Sequence, residues 1–246
     1  MFRNVVFSAF GAAIAIAVLV SGLQSVTTEP LILHAEEFEG GGGHDHAGLS
    51  GIHPAVATVS DARFVLVHTE AAAGEEEEWG PADGFERTFY TVLANLVVGF
   101  AGSLMLLGAM MLKGETIDAR RGLLWGLGAF AAASLLPGLG LPPELPGTPA
   151  AELADRQLWW LGTAVASAAG IGLLAYGKGW AFWVAGIVLL VAPHVIGAPV
   201  PPSHDVDYPG ALAGQFVTAS LVVSLALWAL AGLVGGGLYA RLARSA

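Results

Sequence analysis

Long apolar runs, separated by short polar segments, dominate this chain. Six of these runs approach the roughly 20 mostly apolar residues that a helix needs to cross about 30 Å of hydrocarbon. They cover residues 4–23, 88–112, 122–136, 158–176, 179–195 and 211–240. The pattern predicts an all-α polytopic membrane protein with about six transmembrane helices, forming a single membrane domain over residues 1–246.

Three of the runs leave alternatives open. The third is short, so a re-entrant segment and a total of five spans form the alternative. The last is long and contains Gly235, Gly236 and Gly237, which predict a tilted or broken final helix. The first run exceeds the 7–15 apolar residues of a signal-peptide core and lacks a following A-x-A site. Retention as the first helix is therefore favoured over cleavage.

The basic residues at the ends of the runs are unevenly distributed. With the N-terminus inside, the outer segments hold only Arg63, Arg87 and Arg156. The inner segments hold the other seven, namely Arg3, Lys113, Arg120, Arg121, Lys178, Arg241 and Arg244. Because Lys and Arg concentrate in cytoplasmic loops, both termini are predicted to be cytoplasmic. The largest loop then lies on the periplasmic or extracellular side of the cell inner membrane.

Composition agrees with a lipid-facing surface. Only 12% of the residues are charged, about half the share that is usual in soluble domains. The absence of cysteine excludes disulfides and thiolate metal sites. The net charge of −10 argues against nucleic acid as a partner, because a nucleic-acid-binding protein needs a basic face. Membrane lipid is the partner that the composition predicts.

The largest polar segment, residues 24–87, is predicted to be an outer acidic loop inserted between the first and second spans. A glycine run precedes His44, Asp45 and His46, whose imidazole and carboxylate groups suit cobalt, nickel, zinc or copper. These residues are candidate metal ligands. The alternative is a solvated loop whose polar residues only keep it soluble. The β-branched and aromatic residues of 56–68 predict a short strand or hairpin.

Four more candidate ligands lie at predicted outer ends of spans: Glu29, Glu144, His194 and His204. His194 follows Pro193, which bends a helix and exposes backbone carbonyls. Polar groups at membrane depth are costly and usually have a function. The alternative for His194 is an interfacial side chain hydrated at the headgroups, and the alternative for the proline-rich segment around Glu144 is a rigid turn.

Local signals predict further details of the fold. Asp83 and Glu86 have the spacing of a capping box at the start of the second span. The prolines and glycines of 137–147 predict irregular backbone, with helix resuming at Thr148 and Pro149. Asn95 is predicted to join two helices by hydrogen bonding. There is no G-x-S-x-G, H-E-x-x-H or Walker A motif, which predicts that the protein is neither an enzyme nor an ATP-driven pump.

Several ordered blocks resemble one known family. They are PLILHAEEFE, W-x-P-x-DGFERTFYTVLANLVVGF, RRGLLWGL, LGLPPELPG, ADRQLWWLGT and APHVIGAP. Together they resemble the predicted cobalt transporter subunit CbtA family over nearly the whole chain. The resemblance implies a membrane component of bacterial cobalt uptake linked to cobalamin synthesis, with a small single-span CbtB-like partner that bears histidine. It implies no catalytic or ligand residues, and Co2+ is expected as substrate rather than as a cofactor.

These observations lead to one functional hypothesis and one alternative. The hypothesis is a transporter subunit for uptake of divalent cobalt, or of nickel. Its outer His and carboxylate loop gathers the ion, and a vestibule formed by Glu29, Glu144, His194 and His204 receives it. The alternative is a membrane metal-binding, sensor or assembly protein without transport activity of its own. The scarcity of ionisable residues deep in the spans favours the alternative.

Overall fold

The structure is a computed structural model that describes residues 2–40, 81–82, 84–114 and 116–245. This described part consists of helices and connections and contains no strand. A π-helical turn, Ala131–Leu135, joins the fourth helix to the fifth without a break. The helices are α1 (Phe2–Val26), α2 (Thr28–Gly40), α3 (Phe85–Lys113), α4 (Ala119–Phe130), α5 (Leu136–Gly138), α6 (Leu153–Tyr176), α7 (Trp180–Ile196) and α8 (Gly210–Arg244).

The predicted apolar runs correspond closely to helices. Four helices, α1, α3, α6 and α8, are long and apolar enough to cross a membrane, and α7 is a shorter apolar helix. Large apolar side chains are widely exposed, among them Leu112, Trp180 and Val195, as expected where lipid replaces water. The predicted all-α membrane protein is confirmed, whereas the number of six spans stays a prediction.

Helices α4 and α8 are in direct backbone contact through glycine. A Cβ atom on Gly232 would lie 1.9 Å from the carbonyl oxygen of Gly122, and a Cβ on Gly126 would lie 2.3 Å from that of Trp228. Gly122 and Gly126, like Gly232 and Gly236, are four residues apart and so share a helix face. Small residues at this spacing allow membrane helices to approach closely, where van der Waals contact drives association.

Helix α1 packs between α3 and α8. Its buried residues Ile16 and Val20 join Leu106 of α3 and Ala231 of α8 in one apolar cluster. The predicted role of Asn95 in joining helices is seen directly. Its side-chain nitrogen donates to Ser21 Oγ at 2.8 Å and to Gln24 Oε1, so that α3 is hydrogen-bonded to α1.

A break at the glycines of the final helix and irregular backbone at Pro137 are both wrong, whereas a tilt of the final helix stays a prediction. Helix α8 continues through Gly235, Gly236 and Gly237 without a break, because Gly236 packs tightly against the backbone at Asp118. Pro137 is helical too, although irregular backbone was expected there. It cannot donate to the carbonyl four residues earlier, and the π turn just before it shifts the hydrogen bonding. The amide of Leu136 donates to Ala131, five residues back.

The first part of the predicted outer segment, residues 24–87, is helical. Gln24 still belongs to α1, and residues 28–40 form α2, because apolar residues lie on one face of this segment. Its buried Ala35 packs with Leu145 and with Tyr208 near the start of α8, flanked by Leu31, Ile32 and Phe38. This spacing is that of an amphipathic helix. It is the sequence signal from which α2 could have been predicted. The possible strand at 56–68 lies outside the described residues.

Two helix starts also differ in detail from the expectations. Helix α6 begins at Leu153 rather than after Thr148, because the Thr148 hydroxyl bonds elsewhere, to Leu145 O and Tyr208 Oη. At the start of α3, Glu86 accepts a hydrogen bond from the amide of Ala82 at 3.2 Å. Asp83, the other half of the expected capping box, lies outside the described residues.

Candidate functional site

A pocket of about 320 Å³ lies at the end of the helix bundle where α2 packs, the predicted outer side. Two connections form it, the proline-rich segment between α5 and α6 and the segment between α7 and α8. Its polar lining residues are Glu144, Thr148, Arg156, Ser203, His204 and Tyr208. Two of the seven predicted ligands, Glu144 and His204, therefore line one cavity.

Glu144 is held in place by an ion pair. Nη2 of Arg156, in the first turn of α6, donates to Oε2 of Glu144 at 2.7 Å. Both side chains are about one-quarter to one-third exposed, so the pair lies at the rim between protein and solvent. The contact is a charge-assisted hydrogen bond, which is stronger than a neutral one. Oε1 is the carboxylate oxygen that this ion pair does not use.

His204 is carried by a fixed turn. The hydroxyl of Ser203 donates to the Asp205 carboxylate at 3.3 Å, and the Asp205 amide donates back to Ser203 Oγ at 3.0 Å. His204 itself is exposed. An exposed imidazole and a carboxylate on one cavity offer nitrogen and oxygen ligands of the type that borderline divalent metals accept.

The wall behind this pocket is rigid. The hydroxyls of Thr148 and Tyr208 are 2.6 Å apart, and the Thr148 hydroxyl also lies 2.6 Å from Leu145 O. Leu145 and Tyr208 are buried against Ala35 of α2. Helix α2 therefore supports the two connections that carry Glu144 and His204. Sequence reasoning did not identify Arg156, Thr148 or Tyr208 as part of this site.

The other predicted ligands lie elsewhere. Glu29 is in the first turn of α2 and is partly exposed, and it does not line the pocket. His194 is in the last turn of α7, where its ring meets Trp159 of α6 edge-on at 6.0 Å between centroids. His44, Asp45 and His46 lie outside the described residues.

No ready-made coordination sphere is present in the described part of the chain. Among those residues, no three His, Asp or Glu side chains are grouped closely enough to hold a metal ion. The pocket thus supplies an imidazole and a carboxylate, and any further ligands must come from water, backbone or other segments.

A second cavity, of about 620 Å³, lies at the opposite end of the bundle, the predicted inner side. It is formed by the end of α3, the connection to α4 and the end of α8. At its rim Asp118 accepts from the amide of Arg121 at 2.9 Å and thereby caps α4. Its carboxylate is used structurally, which leaves this cavity without an obvious cation ligand among its described lining residues.

Comparison with known proteins agrees with the sequence blocks noted above. Residues 2–240 match the model of the CbtA family, described as a probable cobalt transporter subunit. No curated protein and no solved structure gives a significant match. Because the family model covers nearly the whole chain, the match cannot arise from one apolar segment alone. This helical membrane protein therefore belongs to the CbtA family of cobalt transporter subunits.

Proposed function

We propose that this chain takes up divalent cobalt across the cell inner membrane, with entry through the pocket that Glu144 and His204 line. The observation that carries the proposal is the presence of these two ligand types on one cavity in a member of a cobalt transporter subunit family. Nickel is the expected competitor, since it accepts the same imidazole and carboxylate ligands.

The first step is capture of the ion at the outer surface. The acidic segment that includes His44, Asp45 and His46 raises the local cation concentration, and the ion then passes to the pocket. There it meets Oε1 of Glu144 and the imidazole of His204 and keeps part of its water shell. Glu29 and His194 contribute at neighbouring positions along the entrance rather than in the pocket itself.

In this proposal, the Arg156–Glu144 ion pair makes binding of a cation in the pocket transient. A cation at Glu144 competes with the guanidinium of Arg156 for the same carboxylate, so binding is weakened by the cost of loosening the pair. After the ion leaves, Arg156 again neutralises Glu144. The pocket can therefore empty without exposing an uncompensated carboxylate near the membrane.

A partner subunit is part of this proposal. The family description as a subunit implies other proteins, and we propose a small single-span CbtB-like chain with a histidine-bearing terminus. In the apolar helices α1, α3, α6, α7 and α8, the Asp, Glu, Lys, Arg and His residues that the structure describes lie near the helix ends. The spans thus lack the charged relay that proton-coupled transporters carry. Energy then comes from the membrane potential or from the partner.

The same scarcity of charge favours a second candidate, a membrane metal-binding, sensor or assembly protein without transport of its own. Uptake of radioactive cobalt into cells expressing this chain alone, and together with the partner, separates the two. Transport predicts uptake above empty-vector cells in at least one of these conditions. Cobalt binding to the purified chain without uptake in either condition would support the alternative.

The orientation is tested with reporters that are active only outside the cytoplasm. A fusion after Gly74 is expected to be active, and fusions after Gly114 or Ala246 are expected to be inactive, because the basic residues concentrate beside the latter two. Activity at Ala246 would contradict the six-span arrangement and favour five spans. Abundance of each fusion, measured by immunoblot, controls for expression.

A further inference from the structure

Buried hydroxyl groups in the described part of the chain differ in whether they have a hydrogen-bond partner. Ser8 is fully buried in α1, and its hydroxyl donates at 2.6 Å to the carbonyl four residues earlier. The hydroxyls of the partly buried Thr27 and Thr91 also donate to the carbonyl four residues earlier, as helical Ser and Thr commonly do. Thr163 and Ser167 of α6 are equally buried, at 1% and 0% exposure. Their hydroxyls have no hydrogen-bond partner among the described residues, and the same is true of the buried Ser103 hydroxyl in α3.

Two more buried atoms without a described partner lie on the same interface. They are Nε1 of Trp159 and Nε2 of His194. Trp159, Thr163 and Ser167 are spaced by four residues and thus share one face of α6. Eight residues of helix rise by roughly 12 Å, a substantial part of the 30 Å hydrocarbon thickness. A polar group left unpaired in this medium is costly, and four of them follow one interface.

The two ends of this face are fixed by contacts with α7. At one end, Trp159 meets His194. At the other, a Cβ atom on Gly170 would lie 2.8 Å from the carbonyl oxygen of Gly186. Helical spacing places Thr163 and Ser167 between these contacts. The tryptophan end adjoins the outer pocket, because Gly140, which lines that pocket, lies directly against the Trp159 ring.

We propose that this line of polar atoms, from Trp159 and His194 to Ser167, is the route by which a hydrated divalent cation moves from the outer pocket toward the membrane centre. The inference rests on the proposed function for the identity of the cation. Hydroxyl groups accept from and donate to water, and they also offer oxygen ligands. The imidazole nitrogen adds one borderline ligand at the entrance. The close contact at Gly170 and Gly186 ends the route in this structure.

The first experiment measures access of water without using cobalt. The natural chain has no cysteine, so Thr163→Cys and Ser167→Cys each introduce one thiol in the full chain within membrane vesicles. A charged, membrane-impermeant methanethiosulfonate is applied from the predicted outer side. Both thiols are expected to react. The control is Ala13→Cys, which is fully buried near the middle of α1 and is expected not to react.

The second experiment measures cobalt uptake in cells that contain the partner. Thr163→Val and Ser167→Ala are each expected to lower the maximal rate about tenfold, as for loss of one hydrogen bond to a charged species. The matched control is Ser8→Ala, which removes a hydroxyl that is equally buried but folded back on its helix. Thr163→Ser is expected to recover most of the rate lost in Thr163→Val. Immunoblots of the membrane fraction exclude loss of protein.

The outcomes are distinguishable. If the thiols at 163 and 167 are as unreactive as the thiol at 13, no aqueous route follows this face and the inference is wrong. Normal uptake by both hydroxyl-deletion variants at normal abundance would also overturn it. If the thiols react but cobalt uptake is absent even in the unchanged protein with its partner, the route stands and the assignment of cobalt as its cargo fails.

Discussion

The α4–α8 pair and the α6–α7 pair are both helix contacts that depend on glycine, yet they differ in polarity. In the first pair, the backbones meet at two positions on each helix, at Gly122 with Gly232 and at Gly126 with Trp228. In the second pair, one close contact at Gly170 and Gly186 is followed by buried atoms that have no described partner. The first contact is suited to holding two helices together. The second is suited to admitting water or a hydrated cation between them.

This difference predicts which substitutions reduce the amount of folded protein and which reduce function alone. Contacts between backbones cannot adjust when a side chain is added, because main-chain atoms have no alternative rotamer. Polar side chains that are not used in packing can be changed with little effect on the fold. Variants of the α4–α8 contact should therefore lower abundance, and variants of the pocket or the α6–α7 face should lower uptake at normal abundance.

The largest effect is expected for Gly232→Ala. Its new methyl group would lie 1.9 Å from Gly122 O, so α4 and α8 must move apart. Overpacking of this kind costs about 1–3 kcal/mol or more, and we expect a lower melting temperature in detergent and less protein in the membrane. Gly172→Ala is the matched control, because a Cβ there meets nothing within 4 Å. Equal effects of the two substitutions would contradict the special role of the α4–α8 contact.

The next effect concerns the ion pair in the pocket. Glu144→Gln removes the carboxylate and is expected to lower uptake at limiting cobalt by roughly tenfold or more, since bonds to charged groups contribute about 1.5–3 kcal/mol. Arg156→Gln removes the competing cation and is expected to raise uptake at limiting cobalt. The measurement is the initial rate of radioactive cobalt uptake. Equal losses in both variants would mean that the ion pair only supports the local structure.

A smaller effect is expected at His194. Both His194→Ala and His194→Gln should lower uptake several-fold at saturating cobalt, because Gln keeps hydrogen-bonding capacity but is a poor ligand for a borderline metal. Membrane abundance should be unchanged in both variants, since the residue is only partly buried at the end of α7. Full uptake with Gln but not with Ala would identify the residue as a hydrogen-bonding group instead of a ligand.

The smallest effect is expected from the acidic segment. Replacing His44 and His46 together by Ala should weaken uptake at low cobalt and leave uptake at high cobalt nearly unchanged. A segment that only raises the local ion concentration becomes dispensable when the bulk concentration is high. The measurement is uptake as a function of cobalt concentration. Complete loss at every concentration would instead place the transport site in this segment.

Sequence patterns predicted the helices better than the details at their ends. Apolar runs locate membrane helices because every backbone group in lipid must be paired within the segment. The same patterns do not show what happens between helices. A break around Gly235 was one of two alternatives for the final helix, and irregular backbone was expected at Pro137. Packing of α8 on α4 and a π turn keep both segments helical. Helix propensity is a property of the single residue. At both positions, contacts with the rest of the protein determine the backbone conformation.

The site was predictable only in part for a similar reason. Candidate ligands can be chosen by residue type, and the structure places two of them, Glu144 and His204, on one pocket. The partner of Glu144 could not be chosen in this way, because residue type alone leaves three basic residues in the predicted outer segments, Arg63, Arg87 and Arg156. Thr163 and Ser167 carry no signal in the sequence. Their importance lies in the position of their unpaired hydroxyls on one face of α6, in line with Trp159.

The ion pair between α2 and α3 has a consequence for how this protein can vary. Nη2 of Arg87 donates to Oε1 of Glu36 at 2.8 Å, which joins the two helices that flank the segment after α2. Because both flanking helices are held, the length of that segment is expected to have little effect on the free energy of folding. Each doubling of a loop adds only about 0.6 kcal/mol of closure entropy. An insertion, a deletion or an epitope tag in that segment is therefore expected to leave the helices on either side of it in place.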